Sequence, residues 1–203
     1  MPAEPTPAPG SPTDEALIHA CRTADAPGRE AAFRELVERY QERAYWISKG
    51  MVGNPDDARD VAQEAFVRVF KSLDRFDPKL KFYTWFYQIV VNLSIDHLRR
   101  GKKRAKVSLD EMAENGEGSV AGPSEPPAAA LERGEVGARV ARVLEELPEK
   151  YRAVMVLRDL EGYDGLEVAS IEGASHATVR WRLHKARQMF REAWERIYGA
   201  ARP

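Results

Sequence analysis

One cysteine, Cys21, stands in 203 residues, so the chain can form no internal disulfide and no cysteine cage for a metal. Histidine is almost as sparse: His19, His97, His176 and His184 are scattered, and the His19-x-Cys21 pair supplies two ligands where a zinc site needs more. The sequence has no glycine-rich phosphate loop, no serine or cysteine nucleophile motif and no metal-spaced acidic or histidine cluster. Enzyme classes built on those motifs are excluded, and no catalytic residue, metal site or cofactor is assigned. No apolar run approaches the ~20 residues of a membrane span, and the proline-rich start is unlike a signal peptide. A soluble cytoplasmic protein without membrane insertion is expected. Net charge is nearly absent too, at −1, although 31% of residues are charged. Cations gather near residues 99–106 and 180–191 while acids crowd the segment between, so neutrality of the sum does not argue against nucleic acid.

What is present is concentrated between Phe76 and Lys106. After the turn signal Asp77-Pro78, six positions hold Phe82, Tyr83, Trp85, Phe86 and Tyr87. Phe82, Phe86, Ile89 and Leu93 then make one apolar helical row, widened by Val91, Ile95 and Leu98, opposite a polar stripe of Gln88, Asn92, Asp96 and Arg99. The helix runs out into Arg99, Arg100, Lys102, Lys103, Arg104 and Lys106, with Gly101 as its expected stop. Taken singly, Phe82, Phe86 and Trp85 read as core, and the basic run reads equally well as a solvated helix end or a nucleic-acid contact. Aromatics beside a polar stripe ending in cations suit single-stranded nucleic acid, where each stacked base contributes roughly 1–3 kcal/mol.

The rest of the chain also reads as helices. Residues 1–12 are proline-rich and expected to be disordered. Thr13 caps a short helix carrying Leu17, Ile18 and Cys21. A helix from about Glu30 to Val52 carries Phe33, Val37, Tyr40, Ala44, Ile47 and Met51 on one stripe; Gly53-Asn54-Pro55 ends it, and Asp56 or Asp57 caps the next, to about Leu73. That third helix buries Ala58, Ala62, Phe66, Val69 and Leu73 and shows Asp57, Asp60, Gln63, Glu64, Arg68 and Lys71, an ordinary solvated face on composition alone. Val107 to about Glu135 is rich in glycine, proline and acids and reads as a tether. A second group of helices begins near Val136, with Val136, Val140 and Val143 on one face and Leu157 and Leu160 on the next. Asp164 and Glu167 match a capping box, Gly173-Ala174-Ser175 a tight turn, and a long basic helix follows. Short helix, glycine turn and basic helix form a helix-turn-helix. In that motif Ser175, His176, Thr178, Arg180, Trp181, Arg182, His184 and Lys185 stand where side chains reach major-groove edges and phosphates. Trp181 falls off the apolar stripe, whereas Arg182 and Arg187 are also suited to structural ion pairs.

FYTWFYQIVVNLSIDHLRR resembles the promoter-melting region of bacterial RNA polymerase sigma factors of the extracytoplasmic-function (ECF) group, and DDARDVAQEAFVRVFKSLDRF resembles that group's polymerase-binding helix. TVRWRLHKAR is similar to its recognition helix for the upstream −35 element. The resemblance covers about residues 14–106 and 136–198, in order. It implies an all-α chain of two small helical domains: a tail over 1–12, sigma region 2 over 13–106, an acidic Pro/Gly-rich linker over 107–135 and sigma region 4, the helix-turn-helix, over 136–203. It implies docking on core polymerase (clamp and flap) through Asp57, Asp60, Gln63, Glu64 and Arg68, of which Asp60, Gln63 and Glu64 match the family's D-x-x-Q-E pattern. It further implies capture of an unstacked base of the −10 element at Asn92, with Phe76, Ile89 and Val90 lining the pocket and Trp85, Asp96, Arg99, Arg100 and Lys103 along the strand. An anti-sigma protein is the other implied partner. Three departures stand out: the usual I-A-V before the asparagine is Ile89-Val90-Val91, Glu172 occupies a usually apolar place, and Gly165-Leu166 replaces the common Tyr-Glu. The rival readings are a helix-turn-helix regulator acting on duplex DNA without polymerase, and a helical protein-interaction module.

Overall fold

The computed structural model describes residues 10–115 and 131–199. The expectations for the first nine residues of the tail and for 116–130 of the tether lie outside the described residues. Among the described residues there are helices and no strand. Helix α1 (Asp14–Thr23) starts where the Thr13 hydroxyl accepts the Ala16 N–H at 3.3 Å and buries Leu17, Ile18 and Cys21. Helix α2 (Ala26–Val52) begins four residues before the sequence reading, because Asp25 caps it by accepting the Gly28 N–H and Pro27 fits its first turn. Leu36, Tyr40, Ala44, Ile47 and Met51 repeat at three and four residues along its buried side, and Gly53 closes it at φ 83°, which strains any side chain. Helix α3 (Pro55–Ser72) is capped by Asn54, not by Asp56 or Asp57: Asn54 Oδ1 accepts the N–H groups of both, at 2.7 and 3.1 Å. The aspartates follow in the first turn, where their charge complements the helix dipole.

A 3₁₀ turn (Leu73–Arg75) and an exposed loop lead into α4 (Phe82–Asn115). Here the aromatics are core. Tyr40 of α2 meets Phe82, Phe86 and Tyr87 with ring centroids 5.2, 5.8 and 6.0 Å apart, and Phe66 of α3 lies 4.7 Å from Phe86. Gly101 does not end the helix. One glycine inside a helix costs about 1 kcal/mol, and good helix formers such as Leu109, Glu111, Met112 and Ala113 follow it. The segment read as tether is thus helical at both ends: to Asn115, and again from the start of α5 (Leu131–Glu145).

In the second half α5 is followed by α6 (Glu149–Met155), a π turn (Val156–Leu160), α7 (Gly165–Glu172) and α8 (His176–Tyr198). Val143, Leu144, Val154, Leu157, Val168, Ile171, Val179 and Ala186 form its interior. Two expected core residues are exposed: Val136, near the free end of α5, and Leu160, which the wider π turn carries off the apolar face. The capping box on α7 is complete: Asp164 Oδ1 accepts the Leu166 and Glu167 N–H groups, and Glu167 Oε2 accepts the Asp164 N–H. Gly173, at φ 59°, ends α7 in the left-handed conformation and turns the chain to Ser175, which caps α8.

The two halves share one apolar core. Gly50 of α2 lies against Val156, so close that a β-carbon there would stand 2.9 Å from a valine methyl. Tyr163 packs beside Tyr83 and Tyr87 of α4, at 6.2 and 5.7 Å, and burial holds the Tyr87 and Tyr163 phenols well above their ordinary pKa. Polar ties surround this contact. Tyr83 donates to Glu167 at 2.7 Å, Arg43 to the Glu161 carboxylate at 2.7 Å and Lys102 to Glu149 at 2.6 Å. Buried Arg152 donates to the Met51, Glu145 and Leu147 carbonyls, joining the end of α2 to the α5–α6 turn.

Candidate nucleic-acid interface

Three surfaces carry the expected site residues. On α3, Asp60, Gln63, Glu64 and Arg68 point outward and Asp57 is half-exposed, as a helix whose apolar stripe faces α2 and α4 requires. Glu64 and Arg68 pair one turn apart at 3.2 Å, and His97 of α4 lies 3.3 Å from Asp57. Sequence reading missed the apolar part of this face. Trp46 is 51% exposed and Val67 and Phe70 also reach solvent, while a groove of about 700 Å³ runs between α2 and α3, lined by Val37, Tyr45, Trp46, Gln63 and Phe66. The sign was available in the sequence: Trp46, like Trp181, falls off its helix's apolar row.

On α4, the structure divides the expected set. Asn92, Asp96, Arg99, Arg100 and Lys103 are exposed, and their spacing places them along one side of the helix. Trp85 and Ile89 are half-buried. Phe76 and Val90 are buried at 5% and 0% exposure, so they stand behind this surface rather than on it. The Phe76 ring lies 4.9 Å from Trp85 and 5.9 Å from Phe82 and fixes the indole from beneath. Val90 is shielded because α4 is covered on two sides, by α2 and α3 and by α7. The arrangement can offer a stacking surface at Trp85, an amide at Asn92 that both donates and accepts, and a cationic track beyond.

On α8, His176, Arg180, Trp181 and His184 are exposed, with Trp181 at 61%; Thr178 and Lys185 are partly so. Ser175 serves as the cap, its hydroxyl accepting the Thr178 N–H at 3.1 Å and lying 2.8 Å from the Thr178 hydroxyl. Arg182 is committed elsewhere, to Glu172 at 3.0 Å, where Glu172 is 6% and Arg182 20% exposed. Burial pushes the Glu172 carboxyl up, and Arg182 draws it partly back. Arg187 makes a two-pronged pair with Asp159, at 2.6 and 2.9 Å. Both arginines thus have structural partners, while Arg180 and His184 lie one turn apart on the side away from the core. Among the described residues no group of three potential metal ligands occurs, and no helix is long and apolar enough to cross a membrane.

Two family models match the chain in the order of these surfaces: Sigma-70 region 2 over residues 36–104, which holds the α3 and α4 faces, and Sigma-70 region 4 over 138–190, which holds the α8 face. The ECF RNA polymerase sigma factor SigW of Bacillus subtilis is 33% identical over 170 residues, 81% of this chain and 90% of that protein. The ECF RNA polymerase sigma-E factor of Escherichia coli is 34% identical over 180 residues, 87% of this chain and 91% of its own. Among solved structures, CnrH in complex with the cytosolic domain of CnrY matches with a TM-score of 0.65 at 26% identity, covering 91% of this chain and 98% of that one.

Proposed function

The chain belongs to the ECF group of RNA polymerase sigma factors, and from that premise we propose the division of labour among its surfaces. It binds core RNA polymerase and directs transcription to chosen promoters; chemistry is left to the polymerase, so the chain acts in the cytoplasm as an initiation factor and not as an enzyme. Residues 13–106 act as the unit that docks and melts, and 136–203 as the unit that reads duplex DNA. Asp57, Asp60, Gln63, Glu64 and Arg68 dock on the polymerase clamp, joined by Trp46 and the groove beside it. Arg180, Trp181, His184 and Lys185, with His176 and Thr178, read the −35 element in the major groove, and an arginine paired to guanine gives about 1–3 kcal/mol of discrimination. Arg182, held by Glu172, orients this helix. Asn92 and Trp85, backed by Phe76 and Val90, take an unstacked −10 base, while Arg99, Arg100 and Lys103 hold the strand. Extruding a base costs a few kcal/mol, which stacking and hydrogen bonds at this surface offset.

The observation that carries the reading is that two separate helices, α4 and α8, each present an exposed polar and cationic face with a tryptophan beside it, Trp85 partly exposed and Trp181 exposed. A duplex-only regulator has no use for the α4 face. A partner protein is expected to hold the factor inactive by covering the docking surface; CnrH, which this chain resembles, was solved in complex with the cytosolic domain of CnrY. Run-off transcription with core polymerase on a genomic promoter library tests the reading. Discrete new start sites sharing paired upstream motifs support it, with Asn92→Ala impairing opening and Trp181→Ala impairing duplex binding. If core polymerase gains no start sites and does not bind the chain, the assignment fails.

A further inference from the structure

We propose that Arg22, on α1, is a positioning residue for capture of the −10 base: its guanidinium fixes the loop that places Phe76 behind Trp85. The inference rests on the reading of the α4 face given above. Arg22 lies ahead of the segment matched by the region 2 model, which begins at residue 36. Its Nε and Nη2 donate to the Leu73 carbonyl at 3.1 and 2.6 Å, and Nη2 also reaches the Phe76 carbonyl at 2.5 Å. The Leu73 carbonyl accepts the Phe76 N–H as well, at 3.1 Å, so one side chain locks the end of the 3₁₀ turn to the first residue of the loop. Phe76 is extended, at φ −64° and ψ 127°, and its carbonyl belongs to no helical ladder.

At its other end the loop is tied by the Lys81 carbonyl, which accepts the Thr84 and Trp85 N–H groups and, at 2.7 Å, the Thr84 hydroxyl. Between these anchors Asp77 to Leu80 are exposed. Under the loop lies a pocket of about 250 Å³, lined by Ile18, Arg22, Phe76, Pro78, Leu80 and Phe82. Releasing the Arg22 anchor gives the loop room to move into that space, and the Phe76 ring moves with it. Phe76 touches Trp85, so the error passes to the stacking surface, where placement within about half an ångström matters. A guanidinium holds its donors in one fixed plane, whereas a lysine ammonium rotates its three donors about one nitrogen at the end of a flexible stem and fixes the two carbonyls less well.

The test uses the full chain with core polymerase and a promoter that this holoenzyme opens. Binding is compared for a single-stranded oligonucleotide carrying the non-template −10 sequence and for the same strand with the captured base replaced. Arg22→Gln is expected to reduce that discrimination about tenfold, the scale of one charged hydrogen bond. Core affinity, duplex −35 binding and thermal midpoint stay near wild type, and Arg22→Lys falls between. Unchanged discrimination in Arg22→Gln overturns the inference alone, as does a uniform loss of stability, core binding and DNA binding. A wild-type holoenzyme that does not distinguish the two strands overturns the α4 reading and this inference with it.

Discussion

Arg182→Ala leaves the Glu172 carboxylate buried without its partner, and its cost follows from the geometry. Breaking a fully buried ion pair from one side costs about 3–5 kcal/mol. This pair is less enclosed, since Arg182 is 20% exposed, and water reaches the vacated space, so about 2–3 kcal/mol is expected. For a chain of this length that lowers the thermal midpoint by about 4–12 °C. The double substitution Glu172→Leu/Arg182→Ala removes the orphaned charge and returns most of the stability. Acid has a defined sign. Burial already holds the Glu172 carboxyl above 4.5, and loss of Arg182 removes an influence that lowers it. An acid whose folded pKa exceeds its unfolded one favours the fold progressively as pH falls through the folded value, so the deficit of Arg182→Ala shrinks between neutral pH and 4.5. Thermal melts of the three proteins across that range read both effects. Equal midpoints for Arg182→Ala and wild type, or a double variant no better than the single one, refute the pairing as the basis of stability. Duplex −35 binding on the same samples assigns Arg182's role: recovery in the double variant marks it as structural, and continued loss returns it to the DNA-reading set.

Trp46→Ala is expected to weaken core polymerase binding about tenfold or more, as loss of a central aromatic does, with folding stability within ~0.5 kcal/mol of wild type because the ring is half in water; a binding titration and a melt check this. Asp164→Ala removes the cap of α7 and costs about 1 kcal/mol. Hydrogen bonds from the Glu167 and Leu166 N–H groups hold the Asp164 carboxyl below its ordinary 3.8, so this contribution is present above that pH and lost as pH falls below it, and variant and wild type converge in acid melts. Arg43→Gln cuts the tie to Glu161 between the halves, a pair worth up to about 1 kcal/mol at its partial exposure, and shifts the population of separated halves roughly fivefold, read as the distance between fluorophores placed on α3 and α8.

Helical periodicity carried most of the fold into view, because an apolar residue every third or fourth position reports which side of a helix is buried. It found the α2, α3 and α8 stripes, the Thr13 and Ser175 caps and the Asp164–Glu167 capping box. It could not report burial from a second direction. Phe76 and Val90 were placed in the base pocket by resemblance, yet α4 is packed on two sides and both lie beneath its surface. Gly101 shows a related limit: a glycine near cations looks like a helix end, but the cost of one interior glycine is within what neighbouring helix formers offset. Ion pairs were half legible. Arg182 and Arg187 read as residues that could be held structurally, but Glu172 and Asp159 as their partners needed coordinates. Arg22 gave no sign at all, since an arginine that binds main-chain carbonyls leaves no matching residue in the sequence.

The contact between the halves bears directly on how such a chain works. A β-carbon on Gly173, in the turn before the recognition helix, would lie 3.0 Å from Gln88 Nε2, on the polar stripe that continues to Asn92 and Asp96. Two six-base elements that do not overlap have centres at least six base pairs apart, about 20 Å along the duplex at ~3.4 Å per pair. On the reading proposed above, the turn of the recognition helix rests on the melting helix, and we propose that the halves separate before both elements are read. Separation exposes Gly50, Val156, Tyr83, Tyr87 and Tyr163 together, which is unfavourable in water, and it releases Arg43 and Lys102 from their partners and Arg152 from the Met51 carbonyl. The docking face on α3 and the groove beside Trp46 lie outside this contact, so polymerase can bind the closed chain first. Binding energy gained there and at the flap is then available to open it. On that proposal the packing of this chain orders initiation: docking precedes opening, and opening precedes reading of the two elements together.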